Sequence, residues 1–246
     1  GHNQYTDFQR FNQAHNQHSY NNIILKFHIP KTWAQLNIAG LVALATIIGI
    51  YLTFKAGWIL LLIGVASFLV GYGYSGGPHP ILKTPFGEPA SGITMGYNIV
   101  LLAIYINIYG PSFDHWFWLK GLVIAGPAIF VISNVMLGNN ICDVDEDLAL
   151  GKKTLVYYIG RPAALKVLIG SYVASYLLII LAVALRLLPV IDLLCLLTIV
   201  PVWQHTKKFV TNPDKAKTFP NILIDLQWIL ISEIVLTFVG ILMENI

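Results

Sequence analysis

Charge is what this sequence has least of. Only 11% of its 246 residues are charged, against 56% that are hydrophobic, whereas a soluble domain carries about 25% charged residues. That shortage excludes a water-facing globular surface. Cysteine is nearly absent as well. Cys142 and Cys195 fall at opposite ends of different apolar runs, which excludes a disulfide framework and a cysteine metal pair. A strong excess of either charge is also missing. The formal net charge of +3 gives no reason to expect a nucleic-acid partner and fits membrane topology and anionic headgroups instead. There is no initiating Met and no signal peptide, and about the first 30 residues are polar and rich in Asn, Gln and His, so the chain is expected to begin partway into a longer protein.

What the sequence does have is apolar runs, too long and unbroken for barrel strands. Seven segments read as membrane spans: 33–54, 57–74, 92–110, 116–138, 163–185, 188–203 and 222–243. Each approaches the ~20 residues that cross a bilayer. Pro189 and Pro201 flank the shortest of them, and Pro127 is placed to kink the fourth. The expected fold is an all-α, polytopic membrane helix bundle, with residues 1–246 forming one domain. Basic residues settle the orientation. Lys55, Lys120 and Arg186 fall on one side and the other 12 of 15 on the opposite side. The positive-inside rule then puts the N-terminal segment and loops 75–91, 139–162 and 204–221 in the cytoplasm. Trp33, Trp58, Trp116, Trp118, Trp203 and Trp228 lie near span ends, as an interfacial belt requires.

The chemistry gathers in the cytoplasmic loops. Asn139, Asp143 and Asp147 are spaced four apart in NNICDVDED, which stacks them on one helix face. Two carboxylates and an amide at a membrane edge call for a cation. A hard ion such as Mg²⁺ suits oxygen ligands, and with so few protein ligands it keeps positions open for an anionic substrate such as a diphosphate. Asp145 points away from that face. Lys152, Lys153 and Arg161 follow directly and are suited to phosphate. The plain alternative is a solvated loop whose acids and bases pair locally. Asn3 and Asp7 repeat the spacing on the same side of the membrane, as a second oxygen pair. The loop GYGYSGGPHPILKTPFGEP offers Tyr74, His79, Lys83 and Glu88, in what otherwise reads as a turn-rich connector. The irregular spacing of His2, His15 and His18 argues against a metal set. Asp225 reads as a helix cap, and Glu233, deeper in the last span, as a functional suspect.

These stretches resemble the UbiA-type intramembrane prenyltransferases. NNICDVDEDLALGKKTLVYYIGR is similar to their second aspartate motif, and YSGGPHPILKTPFGE to the Tyr-x-Gly-Gly-Pro-x-Pro segment of the branch that prenylates 1,4-dihydroxy-2-naphthoate for menaquinone. NQYTDFQ resembles a variant first motif, with Gln4 and Phe11 in place of two of its aspartates. The resemblance implies a UbiA-like bundle of nine helices, of which seven spans are present and two N-terminal ones are lacking. It implies an Mg²⁺-dependent aromatic prenyltransferase. Asp143, Asp147, Asn3 and Asp7 would hold the metal, and Lys152 would join Asp143, Asp147 and Asp7 in catalysis. Asn3, Asn139, Lys152, Lys153, Arg161, Tyr74 and His79 would bind the diphosphate. The implied partners are a polyprenyl diphosphate, an aromatic acceptor such as 1,4-dihydroxy-2-naphthoate, and the lipid bilayer. The implied location is the plasma membrane, multi-pass, with the site facing the cytoplasm. Another aromatic or quinone-precursor acceptor stays open. From a different class, so does a secondary transporter with an acidic site at its cytoplasmic face; acids bunched at one face favour the enzyme.

Overall fold

The computed structural model describes Tyr5, Ile24 and residues 27–110 and 114–244. All regular structure among them is helical. The chain divides into two compact units, residues 1–81 and 82–246.

The first unit contains α1 (Lys31–Ala56) and α2 (Trp58–Ser75). Pro30 precedes α1, where its missing N–H costs nothing. Gly57 separates the two helices with a φ of 90°, and its N–H closes onto the Thr53 carbonyl at 2.8 Å. An L-residue with a side chain would be strained at that φ. Both helices turn apolar side chains outward, Leu36 and Phe54 among them, as lipid-facing helices do.

The second unit opens with α3 (Gly87–Ser91), continues through a π-helical turn (Gly92–Tyr97) and runs on as α4 (Asn98–Ile108). Together these form one span of 22 residues. It starts earlier than the expected residue 92 because Pro89 falls in the first turn, where helices tolerate proline. Next come α5 (Phe117–Ile124) and α6 (Gly126–Cys142), bent by 52° at their junction. Pro127 sits in the first turn of α6, so the expected kink is present and coincides with a helix start. Two short helices follow, α7 (Val144–Ala149) and α8 (Leu155–Ile159), then α9 (Arg161–Ala184). A 3-10 helix (Val190–Thr198) leads into α10 (Ile199–Thr211), and α11 (Phe219–Glu244) ends the described chain.

α6 is the axis of this unit. Val131, Leu137 and Ile141 pack with Leu168 of α9, Phe209 of α10 and Ile222 of α11. Gly92 and Gly96 of the π turn lie directly against α6. A Cβ on Gly96 would stand 2.7 Å from the Ile129 nitrogen. Small residues let membrane helices approach this closely. Within the core, Asn134 of α6 donates to the Leu168 carbonyl at 2.9 Å, a bond worth about 0.6 kcal/mol in typical membrane proteins.

Five described helices are long and apolar enough to cross a membrane, and six if the bent pair counts as one span. They coincide with six of the seven expected segments. The expectation of a seventh apolar helix over 188–203 is corrected. That stretch is the 3-10 helix followed by the first turn of α10, and neither part reaches span length alone. Even so, it carries the chain back through the unit. α9 leaves from Arg161, which pairs with Asp145, and the chain returns at Lys215, which pairs with Asp143. The outward pass of 24 residues covers about 36 Å. The return of 9 residues in 3-10 and 13 in α form covers about 37 Å. A segment of mixed helix type makes the crossing that an apolar α-helix was expected to make.

Asp225 is also corrected. It lies in the second turn of α11 and caps nothing. It is fully buried, 2.8 Å from His205 Nδ1, and accepts from the Thr206 hydroxyl at 3.2 Å, which ties α11 to α10. All six tryptophans are exposed on the outer surface, as a belt requires.

Candidate active site

The polar cluster forms where α6 ends. Asp143 occupies the junction of α6 and α7 with φ −97° and ψ 9°, so the three spaced residues do not share one unbroken helix. Backbone bonds nevertheless bridge the break. The Asp143 N–H donates to the Asn139 carbonyl at 3.0 Å, and the Asp147 N–H to the Asp143 carbonyl at 2.8 Å. The four-residue register therefore survives. Asn139 Nδ2 donates to Asp143 Oδ2 at 3.1 Å. Asp145 is 93% exposed and only loosely paired with Arg161, at 3.7 Å, in keeping with its expected outward direction.

Asp147 is buried and pairs with Lys152 at 3.1 Å. Burial raises its pKa above the ordinary carboxylate value, against the pull of the Lys152 ammonium, and the charge of Asp143 pushes the same way as burial. The turn Leu148–Lys152 places that lysine. The Lys152 N–H returns to the Asp147 carbonyl at 2.8 Å, and Gly151 adopts φ 68° to permit it.

Two participants come from far along the chain. Lys215, in the loop between α10 and α11, donates to Asp143 Oδ2 at 2.5 Å and to Asn139 Oδ1. In the sequence it counts only as one basic loop residue, and nothing local ties it to a site 72 residues away. Glu88 of α3 is the other. Its carboxylate is buried, accepts from Asn140 Nδ2 at 2.9 Å and interacts electrostatically with Asp147. Its Oε2 has no hydrogen-bond partner. The segment resemblance ends on this Gly-Glu pair, which was the available signal.

Of the other expected site residues, Lys153 lies over the Tyr157 ring at 5.4 Å, and its N–H donates to the Lys83 carbonyl at 3.1 Å. Arg161 turns to Asp145. Tyr74 ends α2, half-buried, and His79 is exposed in the loop beyond; both belong to the first unit. Asn3 and Asp7, with His2, His15 and His18, lie outside the described residues.

The donor set fits a hard divalent ion. Asn139 and Asp143 present oxygens, Asp147 adds a carboxylate one turn on, and a cationic group, the Lys215 ammonium, already sits between the first two. Among the described residues no three or more His, Cys, Asp or Glu side chains converge as a closed metal cage. An ion held here would keep coordination positions for substrate oxygens.

Fold and site thus define a multi-pass helical membrane protein with an acid-and-amide cluster, flanked by lysines, at one end of its bundle. The chain belongs to the UbiA prenyltransferase family, whose model matches residues 32–225. It is 33% identical over 179 residues to the 1,4-dihydroxy-2-naphthoate octaprenyltransferase of Bacillus subtilis, covering 72% of this chain and 55% of that one. It is 29% identical over 173 residues to the 2-carboxy-1,4-naphthoquinone phytyltransferase of Synechocystis sp., covering 69% and 54%. The chain spans about half the length of the curated relatives it matches. No solved structure matches it.

Proposed function

We propose that this protein transfers a polyprenyl chain from an allylic polyprenyl diphosphate to a ring carbon of 1,4-dihydroxy-2-naphthoate, as a step of menaquinone biosynthesis. The observation that carries the reading is the Asn139–Asp143–Asp147 cluster beside Lys152, in a chain similar to two enzymes named for prenylating naphthalene-ring acceptors.

Asn139, Asp143 and Asp147 would hold Mg²⁺, with Asn3 and Asp7 as the second oxygen pair. Bound there, the ion would supply positive charge to the diphosphate oxygens. Lys152 is held beside Asp147 by its turn, so its ammonium is in place before substrate arrives and adds to the field that stabilises the departing diphosphate. Lys153 and Arg161 would add further positive charge for the phosphates. As the allylic carbon–oxygen bond breaks, the diphosphate leaves with the bonding pair and the electron-rich ring carbon attacks the allylic cation. The ring proton then passes to a base or to solvent. Water must be kept from that cation, and apolar helices on the lipid side serve this. Glu88, held by Asn140, would add a second carboxylate to the electrostatic surroundings of Asp147.

The excess of basic residues in the loops supports a site facing the cytoplasmic side of the plasma membrane. The test is purified protein in liposomes, supplied with a polyprenyl diphosphate and 1,4-dihydroxy-2-naphthoate. Prenylated naphthoate and released diphosphate should appear together with Mg²⁺ and vanish with EDTA. Turnover that persists in EDTA would refute the metal role. Product with a benzenoid acceptor and none with the naphthoate would refute the acceptor.

A further inference from the structure

We propose that Lys215 is a displaceable internal cation of this site. Its ammonium fills the place between Asn139 and Asp143 while no divalent ion is there, and turns onto the substrate diphosphate when metal and substrate arrive together. The inference deepens the metal-and-diphosphate reading above and rests on it.

The loop that carries Lys215 is built to hold it there. Asp214 Oδ1 accepts from the N–H groups of Ala216 and Lys217 at 2.9 and 2.7 Å. The Asp214 carbonyl accepts from the N–H groups of Thr218 and Phe219 at 3.0 and 2.9 Å. The Thr218 hydroxyl donates to the Asn212 carbonyl at 2.8 Å. The backbone on both sides of Lys215 is thus fixed by its own turn, while the lysine side chain is free to change rotamer. That side chain remains 36% accessible, so the site is open on one side. The Phe219 ring, 5.0 Å from Nζ, flanks the ammonium and steadies it by a cation–π contact.

Charge accounting gives the arrangement its purpose. Asp143 and Asp147 are neutralised by Lys215 and Lys152. A divalent ion entering alone must displace one ammonium and meets the charge of both. A divalent ion entering with a diphosphate brings the anion that the released ammonium needs. Lys215 therefore makes metal binding depend on diphosphate, and by linkage diphosphate binding on metal. A lysine serves better than an arginine here, because its compact charge on a flexible stem can change partners by rotation.

The experiment separates the two effects. Mn²⁺ binding to the full chain in detergent micelles is titrated by electron paramagnetic resonance. Inorganic diphosphate binding at saturating Mg²⁺ is measured by calorimetry. Lys215→Met and Lys215→Gln should each bind Mn²⁺ about tenfold more tightly than the unmodified protein, since a like charge has left the site, and should bind diphosphate about tenfold more weakly, since a charge-assisted contact has gone. Lys217→Met, exposed in the same loop, should change neither. Helical content by circular dichroism is compared throughout, and the glutamine variant carries the test if the methionine variant does not fold. Mn²⁺ affinity unchanged or weakened in both Lys215 variants overturns the proposal while leaving the metal site standing. Absence of Mn²⁺ binding in the unmodified protein and both variants overturns the metal reading itself, and the proposal with it.

Discussion

Gly96→Ala tests whether the approach of the π turn to α6 organises the second unit. An added Cβ would lie 2.7 Å from the Ile129 nitrogen, 2.8 Å from its Cα and 2.9 Å from the Ala128 carbonyl carbon. All three are backbone atoms of a central helix, so no side chain can swing away. Ordinary contact begins at 3.4 Å, so the two segments must part by roughly 0.7 Å, and overpacking of this kind costs about 1–3 kcal/mol. The same separation stretches the Asn140–Glu88 bond from 2.9 Å past the hydrogen-bond range, at a further cost of about 1.5–3 kcal/mol if it is lost outright. Against this, alanine gains about 1 kcal/mol over glycine in helix propensity. The expected net loss is about 1.5–5 kcal/mol. The assay is SDS-induced unfolding in mixed micelles, followed by circular dichroism. Gly170→Ala in α9 is the control, since its Cβ meets nothing within 4 Å, and it should be neutral or stabilising by up to about 1 kcal/mol. A Gly96→Ala protein as stable as the Gly170→Ala protein would show that the contact is slack and that Glu88 is positioned by something else.

Asp143→Ala and Asp147→Ala should each lower prenyl transfer by about 10²-fold or more, whereas Asp145→Ala, whose carboxylate is almost wholly in solvent, should stay within a few-fold of the unmodified rate; turnover numbers in liposomes decide this, and equal losses at all three would undo the site assignment. For topology, single cysteines replacing Asp145 and Lys217 should react with a membrane-impermeant maleimide from the same side, and those replacing Trp116 and Arg186 from the other, in a background lacking Cys142 and Cys195. Labelling of positions 145 and 217 from opposite sides would show that residues 190–211 do not cross.

What could be read from the sequence was local. The four-residue spacing of Asn139, Asp143 and Asp147, the outward direction of Asp145 and the bend at Pro127 all follow from neighbours along the chain, and helical period reports neighbours well. Six spans were visible for the same reason. What escaped was made by distance or by departures from the α-helix. Lys215 meets Asn139 across 76 residues and Glu88 meets Asn140 across 52, and no periodicity carries that information. Asp225 looked like a cap because its partner, His205, lies 20 residues away on another helix. The π turn at Gly92–Tyr97 and the 3-10 helix at Val190–Thr198 share the apolar composition of ordinary spans, so hydropathy cannot distinguish them.

The 3-10 segment has a further consequence, for length. Winding its 9 residues as α-helix would shorten the return pass by about 4.5 Å, at a difference of about 0.5 Å per residue. That exceeds the 2.5 Å separating Lys215 from Asp143, and the loop would be drawn off the acids with its backbone otherwise intact. The hydrogen-bond register of a stretch at the opposite end of the bundle therefore gauges how far the lysine reaches. A residue inserted or deleted between Pro189 and Thr198 would be felt at the acid cluster, at the other end of the bundle.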